Sequence, residues 1–195
     1  MNVAGPYVIG GVYNVSLIVD GKTVDTKPLR VNDDPEVALT SVERKRMFDM
    51  AMEIHALQPR ITDASAAHAA LTRQMAELTR SLGDRADVPA DVKTSVEAFT
   101  KELAALAPRL TTPQGRGGGR GGATESLPAK IGQAKTGLFA GMSLADPTVR
   151  AYTEVKAQTP KAIADMNAVI ARAATLAGTL AKYNLTLTVP APVKP

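Results

Sequence analysis

The chain's two histidines, His55 and His68, are the first residues to weigh for metal or acid–base chemistry. Both fall on one predicted helix, but not at the i, i+4 separation that lets two imidazoles share an ion. His68 occupies that helix's apolar seam and is expected to be a polar packing residue. His55 stands one position beyond another seam residue and is expected at the surface. Asp33, Asp34 and Glu36 make a tight carboxylate cluster. A calcium loop needs more oxygen ligands at EF-hand spacing, and Asp33-Asp34-Pro35 fits turn and capping chemistry better. Glu43, Asp49 and Glu53 lie on the first predicted helix, from which they could project toward an active site completed by another body. No Ser, Thr or Lys carries a nucleophile motif such as GxSxG or SxxK, and no two carboxylates suggest a glycosidase pair. No catalytic, cofactor-binding or metal-binding residue is therefore assigned, no cofactor is expected, and the chain is read as a non-enzyme.

Gly115–Gly122, carrying Arg116 and Arg120, resembles an RGG segment. Such segments bind RNA through many repeats, often with aromatic residues. A phosphate-binding loop would require GK[ST] after the glycines and a strand before them, and this segment has neither. A flexible tether is the expected role. Met47, Met50, Met52 and Met75 form a methionine-rich stretch that reads as ordinary core, although methionine also suits an adaptable partner groove. Asn14-Val15-Ser16 and Asn184-Leu185-Thr186 fit the N-glycosylation acceptor pattern, a short motif set aside as a chance match.

Composition narrows the classes further. The 195 residues include no Cys, no Trp, four Tyr and three Phe. Without cysteine there are no disulfides, thiolate nucleophiles, zinc ribbons or iron–sulfur clusters. So few aromatics argue against a stacking platform for RNA or nucleotides. The net charge of +4 is dispersed along the chain, whereas nucleic-acid proteins concentrate charge on a face or stripe. No charged-then-apolar leader opens the sequence, so no signal peptide is expected here. No apolar run reaches the 18 residues needed for a transmembrane helix, so no membrane insertion is expected.

The elements that would position these residues divide into a β-like start and a helical remainder. In Val12–Val19, residues Tyr13, Val15, Leu17 and Val19 alternate onto one face. Asp20-Gly21 then favours a tight type I′ turn, and Lys22–Val31 returns, with Pro28 marking a bulge or an edge. Two strands alone are marginal in water, so either the helices cover this hairpin or it is the end of a larger sheet. Gly5-Pro6-Tyr7 through Gly10-Gly11, which reads as a loop entering the middle of a domain, favours the second and makes Met1 a fragment start. Thr40 and Glu43 make a capping box. A seam then runs through Met47, Met50, Ile54, Leu57, Ile61, Ala64, His68, Leu71, Met75, Leu78 and Leu82, continuing in phase past Pro59 to a cap at Gly83. A second helix, near Pro89–Leu110, carries Val92, Val96, Phe99, Leu103, Leu106 and Leu110. A third, near Ser126–Leu144, carries Ile131, Ala134, Leu138 and Met142. Asp146-Pro147 predicts an N-cap and N1 proline for the last helix. That helix presents Tyr152, Val155, Thr159, Ile163, Met166, Ile170, Ala173, Ala177, Leu180 and Tyr183, with Pro160 as a kink. Leu185–Val189 alternates like a short strand.

The hairpin and its exit resemble a known family. Gly11-Val-Tyr-Asn-Val-Ser-Leu-Ile-Val-Asp-Gly-Lys-Thr-Val-Asp-Thr-Lys-Pro-Leu-Arg-Val-Asn-Asp-Asp-Pro-Glu36 is similar to the G-x-Y-x-V-x-L-x-V-D-G-K…PL-x-V…DP end of a β-domain. That domain lies near the C-terminus of large bacterial secreted proteins with sortilin-like, BNR-repeat β-propellers, often labelled glycosyl hydrolases. Those proteins continue into a long helical tail, frequently with a glycine-rich insert. The stretch from Asp146-Pro147-Thr148 through Ala151-Tyr152 to Ala168-Val169 resembles that tail's final helix. The propeller and the opening strands of the β-domain have no counterpart in this sequence, so no functional residue carries over.

The fold expected is mainly α. Residues 1–34 form a β-hairpin, a partial Ig-like domain; 40–184 form an elongated antiparallel bundle of three to four helical segments; 111–125 are a Gly-rich linker; 185–195 are a short extended Pro-rich tail. Segment lengths favour three layers, with the second and third helices sharing one. The resemblance implies a non-catalytic stalk, docking or assembly module, periplasmic, extracellular or at the cell surface. Its expected partner is the parent's propeller or a helical protein, with self-association a further possibility. The alternatives are a free-standing coiled-coil adaptor, binding a helical partner or nucleic acid through the Arg-Gly loop, and an accessory part of a glycosyl-hydrolase-like enzyme.

Overall fold

The structure is a computed structural model that describes residues 6–83, 85–112, 126–139 and 143–195. Arg116, Arg120, most of the glycine-rich linker and the seam position Met142 lie outside the described residues. Strands β1 (Gly11–Val19) and β2 (Lys22–Val31) pair antiparallel, from Gly11 opposite Val31 to Val19 opposite Lys22. Asp20 and Gly21 both take positive φ, 49° and 76°, as a type I′ turn demands. Leu17 faces Asp25 while Ile18 faces Thr23, so Val24 is an extra, bulged residue. The bulge is therefore here and not at Pro28, which pairs with Asn14 on a strand whose outer side is a free edge. Ser16 and Thr26 add a cross-strand hydroxyl contact at 2.8 Å.

Four helices follow among the described residues: α1 (Ser41–Gly83), α2 (Ala90–Leu110), α3 (Leu127–Phe139) and α4 (Asp146–Ala181). The capping box closes α1: the Thr40 N–H donates to Glu43 Oε2 at 2.8 Å, and the Glu43 N–H returns to Thr40 Oγ1 at 3.3 Å. Every α1 seam residue is buried except Leu57, which is half-buried. Pro59 and Pro160 lie inside α1 and α4, both solvent-exposed. Each removes one ladder bond on the wet side, while the packed side carries the helix through. The expected glycine cap at Gly83 is not formed by a left-handed glycine: Gly83 is the last helical residue, and among the described glycines only Gly21 has positive φ. Nor is Asp146 the N-cap of α4. Ala145 holds that place without a side-chain bond, and Asp146 and Pro147 fall in the first turn, where a carboxylate still favours the helix dipole.

The helices make an up-down-up arrangement. α2 descends beside the later half of α1, where Ser65 donates to the Leu110 carbonyl at 2.6 Å and His68 Nε2 meets the Leu103 carbonyl at 2.8 Å. α3 continues downward beside the earlier half, with Lys135 donating to Gln58 at 2.7 Å. α4 rises against both. Arg109–Asp165 at 2.6 Å and Arg172–Glu102 tie it to α2, and Lys130–Glu154 at 2.6 Å ties it to α3. Because α4 meets three helices, its buried stripe is wider than the predicted seam and takes in Thr148, Ala151, Ala162, Val169 and Leu176. α2 and α3 thus share one layer.

The end of α4 is a Schellman turn. Asn184, at φ 57°, takes the left-handed position; its N–H bonds to the Ala181 carbonyl at 3.1 Å, and the Leu185 N–H reaches the Leu180 carbonyl at 3.1 Å. Beyond it, residues 185–195 form no strand. They run extended along the bundle, burying Leu187 and Val193.

Candidate functional site

The apolar content of the described surface is polarised. Every large apolar side chain that stands exposed lies between Tyr7 and Met52: Tyr7, Val8, Val12, Val15, Leu17, Ile18, Val19, Val24 and Leu29 on the hairpin and its approach, then Val42 and Met52 on α1. The remaining described residues expose none. Alternation places Tyr13, Val15 and Leu17 on one face of the sheet with Leu29, the partner of Tyr13. Among the described residues neither strand packs against a helix, and both faces of the hairpin stand uncovered by them. Met52 departs from the core expectation for its stretch, whereas Met47, Met50 and Met75 are buried.

Among the described residues, the hairpin is anchored at its base. The Gly10 N–H donates to Asp33 Oδ1 at 3.2 Å, and the Tyr13 hydroxyl donates to the Ile9 carbonyl at 2.6 Å. Arg44 reaches back from α1 to the Val37 carbonyl at 2.7 Å and stands 3.7 Å from Asp33. Asp34 accepts from the Glu36 N–H at 2.9 Å. The carboxylate cluster thus shapes a turn and ties strand to helix. No group of three or more metal-ligating side chains occurs among the described residues.

Beside this base lies an open groove of about 780 Å³, between the start of α1 and the start of α4. Ile9, Val42, Met50 and Val149 supply its apolar lining; Lys45, Asp49 and Glu53 supply charge. Of the three carboxylates considered for a completed active site, Asp49 and Glu53 reach this groove, while Glu43 is consumed by its cap. Asp49 is itself held by Lys45 at 2.7 Å. Tyr152 donates to Glu53 Oε2 at 2.5 Å, and Lys156 lies 2.8 Å from the same carboxylate. Hydrogen bonds from Lys156 and then Tyr152 hold the Glu53 carboxyl below its ordinary range. Burial, and then the neighbouring Glu53 carboxylate, push the Tyr152 phenol up. Hydrogen bonding to Glu53 raises Lys156. All three shifts fix the neutral-pH charge states instead of poising a proton near pH 7, opposite to what a general base requires. The cluster is a strut between α1 and α4.

His68 is buried, its Nε2 on the Leu103 carbonyl and its Nδ1 without a partner. His55 is half-buried, not at the surface as its seam position suggested, because α1 is covered on more than one side; its Nδ1 is enclosed and unpartnered. Sequence reasoning missed Gln74 and Asn167. These carboxamides clamp the tail: Gln74 pairs with both backbone groups of Thr188, at 2.7 and 3.0 Å, and Asn167 with both of Val193. Only their place beside the apolar seams hinted at such a role. No helix among the described residues is long and apolar enough to cross a membrane. No protein-family model, curated protein or solved structure matches this chain.

Proposed function

We propose that this chain is a non-catalytic structural and interaction module, a stalk, docking or assembly element, of a secreted or cell-envelope sortilin-like, BNR-repeat propeller protein. The observation that carries this reading is the gathering of all described exposed large apolar side chains at the hairpin end. Exposed apolar side chains concentrated in one part of a surface point to an interaction site, and a two-stranded sheet needs cover on at least one face to be stable in water. The face bearing Tyr13, Val15, Leu17 and Leu29 is the one that a second sheet of an Ig-like domain would cover. The bundle, whose described residues beyond Met52 expose no large apolar side chain, then acts as a rigid extension of that contact.

An immunoblot of source cells, with an antibody against residues 40–110, tests the reading. The expected band is several times 20.4 kDa. A band at 20.4 kDa would sink the propeller-module assignment and leave a free-standing adaptor. Deleting residues 40–195 from the parent should preserve its chemistry while altering assembly or retention.

A further inference from the structure

The hairpin's two edges are chemically unlike. Strand β2 carries Lys22, Asp25, Lys27 and Arg30, a bulge at Val24, and Pro28 at mid-strand. Proline is tolerated in a sheet where its nitrogen faces away from the ladder, so β2's outer edge lacks a donor there. Charges, bulges and proline are the devices by which natural edges refuse another strand. Strand β1, Gly-Val-Tyr-Asn-Val-Ser-Leu-Ile-Val, has no charged residue, no proline and no bulge of its own. It is the open edge.

Its register also points to an occupant. Paired residues share the same hydrogen-bonding orientation, so Asn14, opposite Pro28, turns its own backbone groups outward, and by alternation so do Val12, Ser16 and Ile18. A second β1, laid antiparallel with the two Val15 residues on a two-fold axis, sets Val12 against Ile18 and Asn14 against Ser16 at these outward positions. Tyr13 then meets Leu17, and Val15 meets Val15. Every pair matches in polarity, each face continues across the junction, and no like charges oppose. At the strand's ends Val19 meets Gly11, which has no side chain to obstruct the partner's turn. Symmetric, self-complementary contacts of this form generate closed dimers. We propose that the outer edge of β1 docks β1 of a second copy of this chain, forming a four-stranded antiparallel sheet about Val15. This goes beyond the proposed function, which concerns what covers the sheet's face.

The chain contains no cysteine, so single cysteines report the register cleanly. In this arrangement the two Val15 Cα atoms stand about 4.5 Å apart, as in a non-hydrogen-bonded pair, within reach of a disulfide. Mild oxidation should convert the V15C variant of this 195-residue chain into a covalent dimer of twice 20.4 kDa. V12C should remain monomeric, because its two sulfurs would lie roughly 20 Å apart. The unmodified chain should sediment as a dimer, and V15K, which places two ammonium groups on the axis, should sediment as a monomer. V24K, altering an equally exposed position on the closed strand, should leave that dimer intact. Equal cross-linking of V12C and V15C, or a monomeric unmodified chain, would overturn the proposal. So would a native polypeptide that is monomeric yet shows β1 amides protected from exchange, since a strand of its own would then hold the edge. The cross-linking and sedimentation outcomes are read on the 195-residue chain itself and do not depend on the immunoblot that tests the module assignment.

Discussion

Asn167 holds Val193 by both of its backbone groups: Nδ2 donates to the Val193 carbonyl at 2.9 Å, and Oδ1 accepts the Val193 N–H at 2.8 Å. The carboxamide supplies to Val193 what a neighbouring strand would, without any sheet. Gln74 does the same for Thr188 from α1. Because Leu187 and Val193 are buried beside these clamps, the tail fastens α1 to α4 along the groove between them.

Replacing Asn167 by Asp keeps the acceptor for the Val193 N–H but turns an oxygen toward the Val193 carbonyl. N167D should cost about 1–2 kcal/mol of stability and release amide protection in residues 189–195. Q74E should act likewise at Thr188. Urea unfolding with hydrogen exchange checks both, and unchanged tail protection would show the clamps to be incidental.

His68 gives a second test of the interior. Its ring fills a seam position of α1 and, through Nε2, reaches across to the Leu103 carbonyl of α2. H68A should remove packing volume and a buried hydrogen bond together, costing about 2–4 kcal/mol. The midpoint of urea unfolding at pH 7 measures it. A change within about 0.5 kcal/mol would mean the site relaxes around the loss, as ordinary surface positions do.

Much of this fold is legible in the sequence, and the exceptions have physical reasons. The Asp20-Gly21 turn, the Thr40–Glu43 box and the α1 seam are local, set by φ preference, capping and period, and each appears at its residue. The Gly83 and Asp146 caps failed because a helix end depends on the path of the adjoining backbone, and one residue of displacement changes a cap into a first-turn residue. The tail escaped because its alternation, Leu185 to Val189, looks the same whether the partner is a strand or two side-chain amides. The Glu53–Tyr152–Lys156 strut joins residues far apart in sequence, and nothing in their spacing foretells that they meet.

Acid should weaken the interhelical struts in a defined direction. Burial pushes the Asp165 carboxyl up, but hydrogen bonds from Arg109 and Lys161 outweigh it and leave the group below its ordinary 3.8; Glu53 lies below its ordinary 4.5. Both folded-state values are depressed. Their stabilisation is therefore present above the unfolded carboxylate range and is lost as pH falls through the folded-state values. Glu53 is nearly half exposed and Asp165 about a third, so each contributes within about 1 kcal/mol after solvent screening. Unfolding midpoints measured from pH 7 downward should begin to decline near pH 5, and the decline should be shallower in an E53Q/D165N double variant. Identical profiles would show that these pairs carry no net stability.

Two glycines of α3 separate helix propensity from packing. A Cβ on Gly137 would press first on Thr148 Oγ1 and stand 2.6 Å from Thr148 Cγ2 and 2.8 Å from Thr148 Cβ, on a side chain that is itself buried where α4 begins, whereas a Cβ on Gly132 meets nothing within 4 Å. Both positions gain intrinsic helix stability from alanine, about 1 kcal/mol at most. At Gly132 nothing opposes that gain, so G132A should stabilise by about 0.5–1 kcal/mol. At Gly137 the contact is with a β-branched side chain that has few rotamers to retreat into, and overpacking of this kind costs about 1–3 kcal/mol. G137A should therefore destabilise despite the better propensity, and pairing it with T148A, which removes both Oγ1 and Cγ2, should recover part of the loss. Opposite signs for G132A and G137A in urea unfolding would place Gly137 at the close approach of α3 to α4. Stabilisation by both would mean that the two helices can part at no cost.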